Sequence, residues 1–277
     1  MKITYKAVSD VGRKRKGNED SLFVNPEQHL FVVADGMGGH AAGEIASKVA
    51  VDSINEFVCL TGGDEEITWP FGLDENISYD GNRLKTAIRF ANKKVLEATR
   101  EKSEYEGMAT TVAAVLVDDA AANLGHVGDS RVYLFRQGAI SQLTSDHSWV
   151  NEQLLSGVIS ADQARSHPLR NVVTRALGGK ADLQVEMQVH KIEPGDILLI
   201  CSDGLTTMRK PMDVAVDAFQ NIYVIDEDAG VLAFSPKGQL LATVGPQDLH
   251  KPKALTVDSA GAVLVYDEKA QRILRFK

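Results

Sequence analysis

Leu30-Phe-Val-Val-Ala-Asp35-Gly36 is a short apolar run that ends in an aspartate beside a glycine. Two later segments repeat the pattern, Ala122-Asn-Leu-Gly-His-Val-Gly128-Asp129 and Ile197-Leu-Leu-Ile-Cys-Ser-Asp203-Gly204. A single Asp-Gly after a strand-like run is an ordinary turn signal. Its recurrence says more, because strands ending side by side would gather these carboxylates at one rim. Carboxylates that share a site cannot all ionise without a cation. Hard oxygen ligands favour Mg²⁺ or Mn²⁺ over softer metals. Glycine beside each aspartate lets the backbone come close enough for a carbonyl to coordinate as well. Upstream, Gly17-Asn18-Glu19-Asp20 offers a further carboxylate, and Arg15 offers a planar guanidinium suited to phosphate oxygens. Two metals about 3.5–4 Å apart can share a water, lower its pKa and aim it at a phosphoester. A nearby histidine could protonate the leaving oxygen.

The segments around these runs alternate between strand-like and helix-like patterns. Lys2–Val8 alternates as a strand does, and Ser21–Val24 and Leu30–Ala34 read as two strands joined by the turn Asn25-Pro26-Glu27-Gln28. Apolar residues recur at helical spacing over Ala42–Leu60 and Arg83–Ala98, with the Gly/Pro-containing loop Gly63–Tyr79 between them. Strands are expected over Thr110–Val117, Ala121–Val127, Arg131–Phe135, Ala139–Leu143, Leu183–Ile192 and Asp196–Cys201. Asp146–Leu155 is expected as a short helix capped by Asp146 or Ser145, and Ile159–Asn171 as a polar surface excursion. Strand-rich sections separated by helix pairs point to an α+β sandwich rather than to alternating βαβ units.

The chain has 277 residues, 44% of them hydrophobic, which suffices for a sizeable core in one large or two smaller domains. A net charge of −8 argues against general nucleic-acid affinity, and Arg13-Lys14-Arg15-Lys16 is its one dense basic cluster. Cys59 and Cys201 have no metal-type or framework spacing. The N-terminus has no apolar signal region, and no stretch approaches the ~18 apolar residues a membrane span needs. No membrane association is therefore expected, and a cytoplasmic location is.

After Met208 the chain repeats itself. Pro211-Met-Asp-Val-Ala-Val-Asp217 matches Pro252-Lys-Ala-Leu-Thr-Val-Asp258, Tyr223-Val-Ile-Asp226 matches Leu264-Val-Tyr-Asp267, and Val231-Leu-Ala-Phe234 matches Ile273-Leu-Arg-Phe276. The offset is 41 residues in the first two blocks and 42 in the third. Each unit reads as short strands between Asp/Gly turns, so a boundary is expected near Arg209-Lys210, with one domain over 1–209 and a second over 210–277.

Arg15-Lys-Gly-Asn-Glu-Asp20, Val33-Ala-Asp-Gly-Met-Gly-Gly-His40, Gly107-Met-Ala-Thr-Thr111, Gly125-His-Val-Gly-Asp-Ser-Arg131 and Cys201-Ser-Asp-Gly204 resemble, in order and spacing, the motifs of bacterial type 2C (PPM) protein phosphatases. Leu143-Thr-Ser-Asp-His-Ser148 and the segment from His167 to Gly178 resemble that family's flap region. The resemblance covers about residues 1–208. It implies an αββα sandwich, Mn²⁺ or Mg²⁺ as cofactor, and hydrolysis of phosphoserine and phosphothreonine in phosphorylated proteins that are substrates of a serine/threonine kinase. Under it Arg15 holds the phosphate, Asp35 bridges two metals, the carbonyl of Gly36 binds one of them, and Asp203 ligates a metal. Asp20 acts through metal-bound water, and Asp129 matches the position of a third, weaker metal. Family members that read Asp-Gly-His-Gly-Gly carry histidine where this chain has Met37, so His40 is the candidate general acid here. His126 reads as a core or packing residue, and His147 and His167 as loop or flap structure.

The tail departs from that family, whose chain continues through helices to a last strand with an Asp-Asn pair. No Asp-Asn dipeptide occurs in 209–277. The expectation is a C-terminally incomplete phosphatase fold, short of one ligand and with an open β edge that allows self-association. The tail resembles NHL-type β-propeller repeats, two units of an all-β architecture that closes with about four to eight. Two alternatives to an active phosphatase follow: a catalytically impaired phosphatase-like binding or scaffold protein, and a non-functional fusion.

Overall fold

The computed structural model describes residues 2–9, 11, 17–38, 42–62, 69–119, 121–137, 139–202, 211–217, 219, 221–226, 230–235, 240–244, 249–258 and 261–276. In chain order the first strands and helices are β1 (Asp20–Asn25), β2 (Leu30–Met37), α1 (Ala42–Leu60), α2 (Tyr79–Glu101), β3 (Ala109–Thr110), β4 (Val112–Val117) and β5 (Ala121–Val127). They are followed by β6 (Arg131–Arg136), β7 (Ala139–Gln142), α3 (Trp149–Leu155), α4 (Ala161–Ser166), β8 (Glu186–Lys191) and β9 (Ile197–Cys201).

β1 and β2 form the expected hairpin. Asn25 Oδ1 accepts from the amides of Glu27 and Gln28, and His29 closes the turn at φ 51°. One sheet runs β1-β2-β4-β5-β8, with β3 paired to the far end of β2, and a second runs β7-β6-β9. α1 and α2 cover the outer face of the first sheet, where Val51, Ile54, Leu84 and Ile88 meet Leu30, Val32 and Leu116 in a fully buried core. The opposite face, through Ala113, Val115 and Leu124, packs on Val132, Leu198 and Ile200 of the second sheet. Burying apolar surface on both faces of the first sheet is what makes this a layered structure.

Four expectations need correction. Residues 2–9 have no regular secondary structure. The segment packs only in part and without ladder bonds: Ile3 rests on the inter-sheet core and the Tyr5 ring lies 6.0 Å from that of Phe31, while Tyr5 stays half exposed and Ala7 exposed. α2 begins earlier than Arg83 because Ser78 caps it, its hydroxyl accepting from the Gly81 amide at 2.9 Å. α3 begins at Trp149 under a Ser148 cap rather than at Asp146. The Asp146 carboxylate is not free to cap because Arg131 holds both its oxygens, at 2.8 and 2.5 Å. The excursion after Ile159 contains α4, started by a reciprocal capping box between Ser160 and Gln163.

Of the expected αββα layers, the described residues supply one helical layer and two sheets, and among them the only long helices are α1 and α2. No described helix is long and apolar enough to cross a membrane. Cys59 is exposed and Cys201 buried, and neither is part of a disulfide.

The later strands are β10 (Pro211–Val216), β11 (Ile222–Asp226), β12 (Gly230–Phe234), β13 (Leu240–Val244), β14 (Pro252–Val257), β15 (Val263–Asp267) and β16 (Arg272–Phe276). They form two antiparallel meanders, β10-β11-β12-β13 and β14-β15-β16. The sequence repeat is also a register repeat. Pro211 pairs with Asp226 and Val216 with Ile222, while 41 residues on Pro252 pairs with Asp267 and Val257 with Val263, each with an irregularity after the proline. Ile225, Val231, Leu255 and Val265 form a shared core between the meanders. One buried polar contact crosses it: Asp213 Oδ2 accepts the Leu255 amide at 2.7 Å, while Oδ1 accepts that of Val214. Asp213→Ala would leave the buried Leu255 amide without this acceptor, at a cost of about 1–3 kcal/mol. Hydrogen exchange should show faster opening at Leu255, with the core amides of β4 and β5 unchanged.

Candidate metal centre

β1 and β2 pair so that Asp20 stands directly opposite Asp35. Directly opposed residues point to the same face with their Cβ atoms about 4.5–5.5 Å apart, and like charges so placed repel. The surroundings fix this pair rather than let it splay. Asp20 Oδ2 accepts from Ser202 Oγ at 2.8 Å, and the Asp20 amide donates to Asn18 Oδ1 at 3.1 Å. Asp20 Oδ1 is buried with no hydrogen-bond partner. Asp35 is itself buried, at 7% exposure.

The backbone of Asp35 is held from three directions. Its amide donates to Thr111 Oγ1 at 3.1 Å, and its carbonyl accepts from the Thr111 amide at 2.9 Å and from Thr110 Oγ1 at 2.9 Å. Thr111 Oγ1 also lies 2.6 Å from Ser130 Oγ, so a buried hydroxyl bridge ties the Asp35 strand to the residue after Asp129. Gly36 needs to be glycine for space. A Cβ there would lie 1.9 Å from the carbonyl oxygen of Gly43 at the start of α1, and 2.7 Å from that of Glu19. The Gly36 amide donates to Glu19 O at 3.0 Å.

Asp129 follows Gly128, whose φ of 106° suits glycine alone. Arg131 turns its guanidinium to Asp146. Burial opposes its charge, but the Asp146 carboxylate raises its pKa above the usual arginine value. That arginine is structural. Asp20, Asp35 and Gly36 are therefore brought together. Asp129 is joined to them through Ser130 and Thr111, and the chain reaches Asp20 from β9 at Ser202. Arg15, His40 and Asp203 lie outside the described residues. His126 is a buried residue of β5 as expected, and His167 stacks on Trp149 with ring centroids 4.5 Å apart. Sequence reasoning assigned no role to Thr111, Ser130 or Ser202. All three stand inside quoted motifs, which was the available signal.

The buried, partnerless Asp20 oxygen beside a second carboxylate is a donor set that fits a hard divalent cation. Asp20 and Asp35 are the described carboxylates brought opposite one another there.

A family model described as Protein phosphatase 2C matches residues 13–234. The serine/threonine phosphatase stp of Listeria monocytogenes serotype 4b is 38% identical over 207 residues, spanning 72% of this chain and 77% of that protein. Among solved structures, the Mycobacterium tuberculosis serine/threonine phosphatase PstP/Ppp matches with a TM-score of 0.61 and 34% identity, over 71% of this chain and 77% of that one. The catalytic domain of PstP in complex with two manganese ions matches with a TM-score of 0.57 and 32% identity, over 71% of this chain and 76% of that one.

Two outcomes follow from the geometry. Gly36→Ala should lower the melting temperature and abolish divalent-metal binding together, because the added carbon must push α1 from the rim; calorimetry checks both. The second concerns His126, whose pKa burial, and then the adjacent His147 ring, lower to about 4. An unfolded imidazole titrates near ~6.5, so its neutral form contributes stability in full above that pH. That contribution is lost as pH falls through the folded value. Urea melts of His126→Gln should show a shallower loss of stability on acidification than the parent.

Proposed function

Because this chain belongs to the protein phosphatase 2C family, we propose that its aspartate rim hydrolyses phosphoserine and phosphothreonine in proteins with divalent metal ions. The observation that carries this reading is the opposed pair Asp20–Asp35 with its buried, partnerless oxygen. We assign Mn²⁺ or Mg²⁺ as the ions, held by Asp20, Asp35, the Gly36 carbonyl and Asp203, with Asp129 at a third, weaker position. Such ions would supply an activated water and a counter-charge for phosphoryl oxygens.

The rest is the work of the chain. Ser202 keeps one Asp20 oxygen occupied, while the other is buried without a partner. The Thr110 and Thr111 hydroxyls set the height of the Asp35 backbone, and Thr111 couples it to Ser130. Gly36 and Gly43 let α1 close on the strand end without a side chain between them. Arg15 is the phosphate clamp in this reading, and His40 the proton donor to the leaving oxygen.

We further assign a domain over 1–209 and two NHL-like β units over 210–277, supported by the matched registers of the two meanders. The family match itself runs to residue 234. In a second reading the site binds phosphoprotein without turning it over. A cytoplasmic location and substrates shared with a serine/threonine kinase complete the proposal. Self-association would run through a free strand edge.

Phosphate release from a phosphothreonine peptide with and without millimolar Mn²⁺ tests the choice. Mn²⁺-dependent turnover that falls at least about 100-fold in Asp35→Asn, or about 3 kcal/mol of transition-state stabilisation, supports the phosphatase. Peptide binding with no turnover in folded protein supports the second reading.

A further inference from the structure

A second cluster of titratable groups lies behind Asp129. A ring nitrogen of His126, a ring nitrogen of His147 and a Glu186 carboxylate oxygen fall within 4.8 Å of one another. His126 and Glu186 are cross-strand partners in β5 and β8. The rings of His126 and His147 stack at 4.3 Å and 22°. His126 is 2% exposed, and its Nε2 has no hydrogen-bond partner.

Two histidines and a carboxylate suggest a transition-metal site, but the protons are in the wrong place for one. His147 Nδ1 accepts the amide hydrogen of Gly128 at 3.1 Å. An atom that accepts carries no proton, so the proton of the neutral ring sits on Nε2, where it is donated to Glu186 Oε2 at 3.2 Å. A metal would need that same nitrogen bare. Arg175 Nη1 also stands 3.3 Å from it, adding positive charge where a cation would have to bind.

The same geometry describes an orienting chain. Glu186 selects the tautomer of His147, and His147 grips the amide of Gly128, the residue before Asp129. The grip is double, because the His147 amide donates to the Gly128 carbonyl at 2.8 Å. It acts on a backbone at φ 106°, a conformation whose freedom must be restricted from outside. Burial lowers the His147 pKa against the opposing pull of Glu186, which keeps the ring neutral and Nδ1 available. His126 serves as the flat wall behind the ring.

We infer that His147, oriented by Glu186, is a positioning residue that sets the Gly128–Asp129 turn and so places the Asp129 carboxylate for the peripheral metal. This rests on the proposed role of Asp129. It makes His147 a second sphere to that aspartate, where loss of such a partner typically costs about 10–100-fold in metal affinity or activity.

The test uses the full chain in five forms: parent, His147→Ala, His147→Asn, Asp129→Ala and the double variant Asp129→Ala/His147→Ala. Two readouts are taken, Gly128 amide exchange by NMR without metal, and Mn²⁺ binding by calorimetry. His147→Ala should expose the Gly128 amide and weaken the weaker class of Mn²⁺ site about 10-fold. His147→Asn should restore both, since its Oδ1 can stand where Nδ1 stood. The double variant should bind no worse than Asp129→Ala. If His147→Ala does not fold, Glu186→Ala should shift both readouts in the same direction. An unchanged Gly128 amide, additive effects in the double variant, or Mn²⁺ binding altered by Asp129→Ala but not by His147→Ala overturns the inference alone. No effect of Asp129→Ala on Mn²⁺ binding removes the role of Asp129 and the inference with it. A parent protein that binds no Mn²⁺ sinks the metal-dependent reading itself. A melt stabilised by Zn²⁺ in the parent but not in His126→Ala would restore the cluster as a metal site and overturn the orienting chain.

Discussion

Asp20 and Asp35 face one another across a hairpin whose register leaves them no room to part. Every neighbouring interaction holds that confrontation in place. Ser202 arrives from the second sheet to occupy one Asp20 oxygen. Thr110 and Thr111 clamp the Asp35 backbone. α1 begins against a glycine that a methyl group would displace. A fold stabilised by apolar layers does not need two opposed carboxylates, and it carries their repulsion as a cost. The cost is intelligible if a cation completes the pair.

The two-sheet core gives this arrangement its rigidity. Ala113, Val115 and Leu124 on one sheet and Val132, Leu198 and Ile200 on the other bring the ends of β2, β5 and β9 to a common edge. The turn after β5 is then latched to the segment at 146–148 twice, through Arg131 with Asp146 and through Gly128 with His147. The flanking segment and the metal rim thus share anchors. A change in one is felt at the other through hydrogen bonds rather than through sequence proximity.

Much of this was legible in the sequence where the signal is local. The bounds of α1 follow from helical spacing and the β1–β2 hairpin from Asn25-Pro26, while of the three similar run endings Asp35 and Asp129 are described and Asp203 is not. The start of α3 was misplaced because the expected cap, Asp146, is taken by an arginine fifteen residues back. Lys2–Val8 alternates like a strand, yet it pairs with nothing and only Ile3 and Val8 are partly buried, so a few alternating residues alone do not make a strand. The Thr111–Ser130 bridge, the Ser202–Asp20 bond and the His147 tautomer join residues 19 to 182 positions apart. No periodicity encodes such pairs. In the tail, the 41-residue repeat was readable as sequence and returns as a repeated register, while the Asp213–Leu255 link between the units was not.

Isothermal calorimetry of Mn²⁺ binding, run beside metal-free thermal melts for the parent chain and Asp35→Asn, separates a metal centre from a mere crowding of charges. Removing one of two opposed charges should leave the metal-free melt unchanged or raise it, while Mn²⁺ binding falls away. Equal Mn²⁺ binding by the two proteins, or none by the parent, would contradict the assignment of this rim to a divalent metal.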